Sequence, residues 1–250
     1  MAGRGSDDAE DFSQTGHEPM KNTPNQRQQN TTRLRTLTVA ALALGCALIM
    51  VAGAEAQSLT PPATPTGITP PPGNSLFLVG HAVGTQGYIC LPTAAGASTA
   101  SWTVKAALPE ATLFQTVYGL KIQIITHFLS PNTNPNDAAP KPLPFGNATW
   151  QSSLDSSKVW AAVLDPKKNS IPAGSDASCP NTGSIACLLL TSIGSEKGPS
   201  GGNALSKTTF IQRLNTGGGL APEEGCSTSA DVGNQVLVPY SADYLFYKAQ

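Results

Sequence analysis

The sequence has little charge, few aromatic residues and no run of basic residues. Of its 250 residues, 12% are charged and 6% are aromatic, and the formal net charge is −1. After Ala56, ten Lys and Arg residues balance ten Asp and Glu residues. Nucleic-acid binding is not expected, because it depends on a basic surface that attracts the phosphate backbone. Low charge combined with 24 Gly and 21 Pro favours a loop-rich β protein over a helical one.

Three patterns that would indicate specific chemistry are also missing. No C-x2-C pair supplies the thiolate spacing that is usual in zinc sites. No G-x-G-x-x-G follows a strand-like segment, as a dinucleotide-binding protein would require. No stretch shows a capped apolar stripe of helical period, apart from a short turn expected near residues 109–114. The sequence therefore predicts no metal site and no cofactor.

The N-terminal part has the regions of a secretory signal. Arg33 and Arg35 precede an apolar run over residues 37–51, and Ala54-Glu55-Ala56 forms a small-x-small cleavage site. The apolar core of about 15 residues is shorter than the ~20 that span a bilayer, which favours cleavage over an uncleaved anchor. Such an anchor is the only membrane contact that the sequence suggests. We expect a secreted or periplasmic protein whose mature chain begins at Gln57.

The chain divides into four regions. Residues 1–35 are a polar N-terminal extension, within which Met20 is a candidate for the true start, and residues 36–56 are the signal peptide. Residues 57–75 are rich in Pro and Thr and are expected to form an extended, poorly ordered linker. Residues 76–250 are expected to form a single domain, long enough to bury one core.

Four cysteines lie in the expected mature chain. An even number in an exported protein implies disulfides, for which three pairings exist. Cys179 and Cys187 flank a Pro-Asn-Thr-Gly turn, so a local bridge is natural there, and it leaves Cys90 to pair with Cys226.

Short β-type segments separated by Gly, Pro and Asn clusters fill the domain. About eight such strands predict an all-β fold, an antiparallel sandwich or barrel held by disulfides. A loop is expected over residues 130–146, which contain five prolines. The predicted strands are 75–79, 85–91, 101–105, 120–128, 158–164, 185–192, 207–215, 236–238 and 242–247.

Three motifs stand out along these segments: Gly84-Thr-Gln-Gly-Tyr-Ile-Cys90, Ile211-Gln-Arg-Leu-Asn-Thr216 and Pro239-Tyr-Ser-Ala-Asp-Tyr244. Together with Trp102, His127 and Trp150 they resemble an uncharacterised secreted family of bacteria and fungi, known as a domain of unknown function. The resemblance covers residues 76–247 and implies no established activity. The chain departs from the family pattern in the insert between His127 and Thr149.

A small set of residues could carry chemistry or binding. His127 ends a strand-like run, and Asp155 or Asp243 could join it as a general base pair or a metal site. The alternative is a histidine that is hydrogen-bonded at a strand end. Gln212, Arg213 and Asn215 lie beside a Gly-rich turn, where Arg213 could face a ligand or pair with Asp243. The binding candidates are Gln212, Arg213, Asn215 and Trp150.

Without a convincing catalytic group, these features predict a non-catalytic module outside the cytoplasm. Its role would be structural, or it would bind a small ligand or a surface glycan. The alternative is an extracytoplasmic hydrolase or metal-dependent enzyme centred on His127.

Overall fold

The computed structural model describes residues 59–104, 110–130 and 146–250. The predicted signal peptide and most of the 130–146 insert lie outside this part of the chain. Two single 3₁₀ turns lie at Thr66–Ile68 and Ser229–Asp231. No helix in the described residues has the length and apolar character needed to cross a membrane. The strands are β1 (Asn74–Pro92), β2 (Ala100–Thr103), β3 (Glu110–Val117), β4 (Leu120–Ser130), β5 (Asn147–Ser152), β6 (Lys158–Ala162), β7 (Ser170–Ile171), β8 (Cys187–Glu196), β9 (Thr208–Gly218) and β10 (Gln235–Ala249).

The strands form one antiparallel sheet that closes on itself. Neighbours follow the order β10-β9-β8-β6-β5-β4-β3-β1, and β10 also pairs with β1 along most of its length. Two of the ten strands are additions, because β2 extends only β1 and β7 pairs only with β8. The remaining eight form a barrel, a size whose interior is filled by side chains or holds one small ligand. The predicted antiparallel all-β fold is confirmed, in its barrel form.

β1 is a single long strand, although the sequence predicted two strands broken at Gly80 and Gly84. These glycines allow close packing instead of ending a strand. A Cβ on Gly84 would collide with the backbone oxygen of Glu110, and one on Gly80 would lie 3.0 Å from the side chain of Leu113. The absence of side chains there lets β3 pack closely against β1.

The short helical turn expected near residues 109–114 is wrong. Glu110–Val117 is a strand that pairs with β1 on one side and β4 on the other. Its buried residues Ala111 and Leu113 alternate with more exposed neighbours, the period-2 pattern of a strand that buries one face.

Apolar side chains form two main cores on opposite faces of the sheet. The larger core lies inside the barrel and includes Leu113, Ile211 and Phe246, which are fully buried. The second lies outside β8, β9 and β10 and includes Leu189, Leu214 and Leu245. Because alternate residues of a strand face opposite sides of a sheet, these three strands contribute to both cores.

The second half of the Pro-rich segment covers the outer core. Ile68 is fully buried there, and its carbonyl oxygen accepts a hydrogen bond from Gln212 Nε2 at 2.6 Å. Asn169 Nδ2 also donates to the backbone oxygen of Gly67. The sequence predicted a poorly ordered linker here, whereas residues 64–69 pack against the barrel, since Ile68 supplies an apolar side chain among the prolines.

Both predicted disulfides are confirmed. Cys90 and Cys226 are bonded across a separation of 136 residues, and Cys179 is bonded to Cys187. The long bridge ties the end of β1 to the loop before β10. The short one lies in the outer core.

Candidate functional site

The barrel contains a partly open cavity of about 360 Å³. Seven of the eight ring strands contribute to its wall, all except β3, so the cavity lies in the barrel interior. Most of the wall is aliphatic, and the polar groups are few. The lining residues include Gln86, His127, Asn147, Trp150, Leu190 and Arg213.

A second hollow of about 660 Å³ is formed only by residues of β1, β3 and β4 and their immediate neighbours. It shares His127 and Leu129 with the interior cavity. Val83, another of its lining residues, is 54% exposed. We therefore take the interior cavity, which is surrounded by strands from around the ring, as the candidate site.

Three aromatic rings form one part of the cavity wall. His127 on β4 and Trp150 on β5 are paired in register, and their rings stack with centroids 4.2 Å apart and planes 9° from parallel. Tyr244 on β10 lies edge-on to Trp150 at 5.6 Å. His127 and Trp150 were separate candidates in the sequence, and the structure places them in contact.

His127 is neutral at physiological pH. Burial lowers the pKa of His127 to about 4, the hydrogen bond with the Thr149 carbonyl opposes this change, and the positive charge of Arg213 adds to it. The His127 Nδ1 atom lies 2.8 Å from Thr149 O. A carbonyl can only accept, so Nδ1 carries the proton and Nε2 has a free lone pair. The ring can accept a hydrogen bond through Nε2.

Arg213 on β9 lines the same cavity. Its Nε and Nη2 atoms donate to the backbone oxygen of Ala186 at 3.2 and 2.7 Å. No carboxylate of the described residues forms an ion pair with its guanidinium. The sequence suggested that Arg213 either faces a ligand or pairs with Asp243. The structure shows no ion pair between Arg213 and Asp243.

Asp155 and His127 are not brought together. Asp155 Oδ1 accepts hydrogen bonds from the backbone and hydroxyl of Ser157, and Oδ2 accepts one from the backbone of Ala204. These hydrogen bonds outweigh burial and lower the pKa of Asp155 to about 2. The carboxylate thus holds the 198–206 loop against the β5–β6 turn.

Asp243 contacts a different histidine. His81 Nδ1 lies 2.6 Å from Asp243 Oδ1, and Asn215 Nδ2 donates to Asp243 Oδ2 at 2.8 Å. The His81 side chain is 62% exposed, and neither hollow includes the pair. Asn215, a predicted binding residue, is therefore a partner of Asp243.

Gln212 is held outside the barrel lumen. Its Nε2 donates to the Ile68 carbonyl and to Thr64 Oγ1, and its Oε1 accepts from Tyr247 OH. The first two hydrogen bonds fix the 64–69 segment to β9, and the third joins Gln212 to β10. Among the described residues, no group of three or more His, Cys, Asp or Glu side chains could hold a metal ion.

A family model described as "Protein of unknown function (DUF3455)" matches residues 71–248. The chain belongs to the DUF3455 family. Neither the curated proteins nor the solved structures contain a match to it. The family match covers the described strands of the barrel except Ala249, the last residue of β10, and it includes the whole cavity wall.

The first motif of this DUF3455 domain places alternate residues on one face of β1. Gly84 admits the close approach of β3, Gln86 lines the cavity, and Tyr88 OH donates to the Gly219 carbonyl at 2.6 Å. Cys90 ends the series in a disulfide. In the sequence Gln86 stands out only as part of this motif, and its place in the cavity was not predicted.

Asn147 is a second cavity residue that sequence analysis missed. It was visible only as the first residue of an Asn-Ala-Thr glycosylation sequon, which suggests an exposed loop. In the DUF3455 barrel its side chain is 5% exposed and lines the cavity. A glycan on Asn147 is thus incompatible with this folded structure.

Proposed function

We propose that this protein is exported and acts as a non-catalytic binding protein for a small, largely apolar molecule held inside the barrel. The interior cavity carries this proposal. Its volume of about 360 Å³ lies in the range of small-molecule sites, which combine apolar walls with a few polar groups. A glycan fits less well, because its hydroxyls would each need a buried hydrogen-bond partner.

The surroundings of His127 support binding over catalysis. Its Nδ1 is engaged by a backbone carbonyl and its ring is stacked on Trp150. Asp155 and Asp243, the carboxylates suggested as its partners, have partners elsewhere. An enzyme centred on His127 stays a prediction. In such an enzyme the substrate itself would have to supply the polar groups that Asp155 and Asp243 do not.

Two observations support export. The apolar run after Arg33 and Arg35 with its Ala-x-Ala site has the organisation of a signal peptide. The two disulfides are typical of proteins that fold in an oxidising compartment.

Filling the cavity tests the proposed function. Val163 lines the cavity and its neighbour Leu164 is 65% exposed, so Val163→Trp and Leu164→Trp form a matched pair. The oxidised protein is titrated with N-phenyl-1-naphthylamine, a neutral probe whose fluorescence rises in apolar surroundings. We expect Val163→Trp to weaken probe binding by about tenfold or more, equivalent to roughly 1.4 kcal/mol, and Leu164→Trp to leave it unchanged. No probe binding, or equal binding by both variants, would contradict the proposal.

A further inference from the structure

Unpaired hydrogen-bond donors are concentrated in the cavity wall. Four buried side-chain atoms of the described residues lack a hydrogen-bond partner, and three of them line this cavity: Gln86 Nε2, Asn147 Nδ2 and Trp150 Nε1. The three residues are 7%, 5% and 1% exposed. A buried donor without an acceptor is costly and uncommon in folded proteins. Three such donors in one cavity wall indicate that the cavity binds a group rich in hydrogen-bond acceptors.

The charge of the cavity wall also favours a ligand group that accepts hydrogen bonds. Arg213 brings a permanent positive charge, and its hydrogen bonds to the Ala186 carbonyl engage Nε and Nη2. No described carboxylate lines the cavity. His127 adds no charge at neutral pH, because burial keeps it unprotonated. The wall therefore offers one cation and several donors, with no anion of its own.

We propose that the ligand is an apolar carboxylic acid, bound as its monoanion with the carboxylate near Arg213, Gln86 and Asn147. This proposal rests on the proposed function. A carboxylate has acceptor oxygens only and matches a guanidinium in planar geometry. Its single negative charge balances the single positive charge of the wall, whereas a phosphate ester would leave excess charge buried. The aliphatic tail would lie against Leu129, Leu188 and Leu190, which line the same cavity.

The direct test compares an acid with its neutral analogue. Decanoate and 1-decanol share an alkyl chain and differ in the charged head. Competition against N-phenyl-1-naphthylamine at pH 7 should show decanoate binding about tenfold or more tighter than decanol, since hydrogen bonds to a charged group are stronger than those to a neutral one. In Arg213→Met, which removes the charge and keeps an aliphatic side chain, this preference should disappear while decanol binding persists.

A second variant keeps the proposal testable if loss of the Ala186 contact unfolds Arg213→Met. Gln86→Leu removes an unpaired donor, so it should raise the melting temperature of the ligand-free protein and weaken decanoate binding severalfold. Gln115→Leu is the matched control, because Gln115 Nε2 already donates to the Val79 carbonyl at 2.9 Å. That control should lower the melting temperature and leave the preference for decanoate unchanged.

The outcomes separate this inference from the proposed function. Equal affinities for decanoate and decanol would overturn the carboxylate inference and leave the apolar binding function standing. If neither compound displaces the probe and Val163→Trp does not affect probe binding, both proposals are contradicted. A decanoate preference that survives both Arg213→Met and Gln86→Leu would also overturn the assignment of the carboxylate to these residues.

Discussion

His127 shows how burial in the barrel changes the chemistry of one residue. The residue is 5% exposed, and burial lowers the pKa of its imidazole to about 4. In the unfolded chain the same imidazole titrates near the ordinary value of about 6.5. Between these two pH values the unfolded state binds a proton that the folded state does not. Folding stability must therefore fall as the pH decreases through this window.

We expect this histidine to contribute a loss of roughly 3 kcal/mol of unfolding free energy between pH 7 and pH 4. In His127→Phe, which keeps an aromatic ring beside Trp150, that contribution should be absent. Urea unfolding at pH values from 4 to 8 measures the slope. Leu164→Phe is the control, because Leu164 is 65% exposed and carries no titratable group, and it should retain the slope of the unaltered protein. Identical slopes in the unaltered protein and His127→Phe would contradict a neutral, buried His127.

At the scale of elements, the 64–69 segment is an integral part of the domain. Ile68 is fully buried in the outer core, and Gln212 binds its carbonyl from β9. The segment thus closes a face of the sheet that would otherwise expose the apolar side chains of β8, β9 and β10.

Shortening the buried side chain should reveal this role. Ile68→Ala is expected to lower the free energy of unfolding by about 2–4 kcal/mol, through lost burial and the cavity left behind. Thr66→Ala, an exposed change in the same turn, should alter it by less than about 0.5 kcal/mol. Urea denaturation of both variants provides the measurement. Similar midpoints for the two would show that the segment does not stabilise the barrel.

Elements with regular alternation were predictable from sequence, and those governed by distant contacts were not. β4 was expected over residues 120–128 and spans Leu120–Ser130, because its apolar residues are locally patterned. Gly80 and Gly84 were interpreted as breaks, since the approach of β3 is invisible from the sequence of β1 alone. β5 (Asn147–Ser152) was missed as a strand, because it follows a long Pro-rich insert and is only six residues long.

The candidate site was predictable in part for the same reason. His127, Trp150 and Arg213 were candidates for a site because of their residue types, and all three line the cavity. Gln86 and Asn147 carry no chemical signature in sequence, and their importance arises only when β1 and β5 contribute to one interior. Asp155, Asp243, Gln212 and Asn215 have the same polar character but lie in other environments, which sequence alone does not distinguish.

At the scale of the whole molecule, the two disulfides constrain the unfolded chain unequally. Cys90–Cys226 spans 136 residues and Cys179–Cys187 spans 8. On the chain-entropy account, the long bridge stabilises by about 5 kcal/mol and the short one by about 2–3. The double variant Cys90→Ala/Cys226→Ala should therefore lose more unfolding free energy than Cys179→Ala/Cys187→Ala. Urea unfolding would contradict this expectation if the order were reversed.

The pairing of the first ring strand with the last also sets when the protein can fold. β1 needs β10 as its partner, from Asn74 against Ala249 to Ile89 against Gln235. During synthesis the N-terminal part of a chain emerges first, so the ring stays open until β10 has left the ribosome. Such delayed closure keeps the growing chain unfolded enough to pass through a membrane channel, which suits the proposed export. The same pairing places Asn74, at the start of β1, beside Ala249, at the end of β10. These two ends could therefore be joined by a short linker and new termini introduced in another loop, which is a circular permutation.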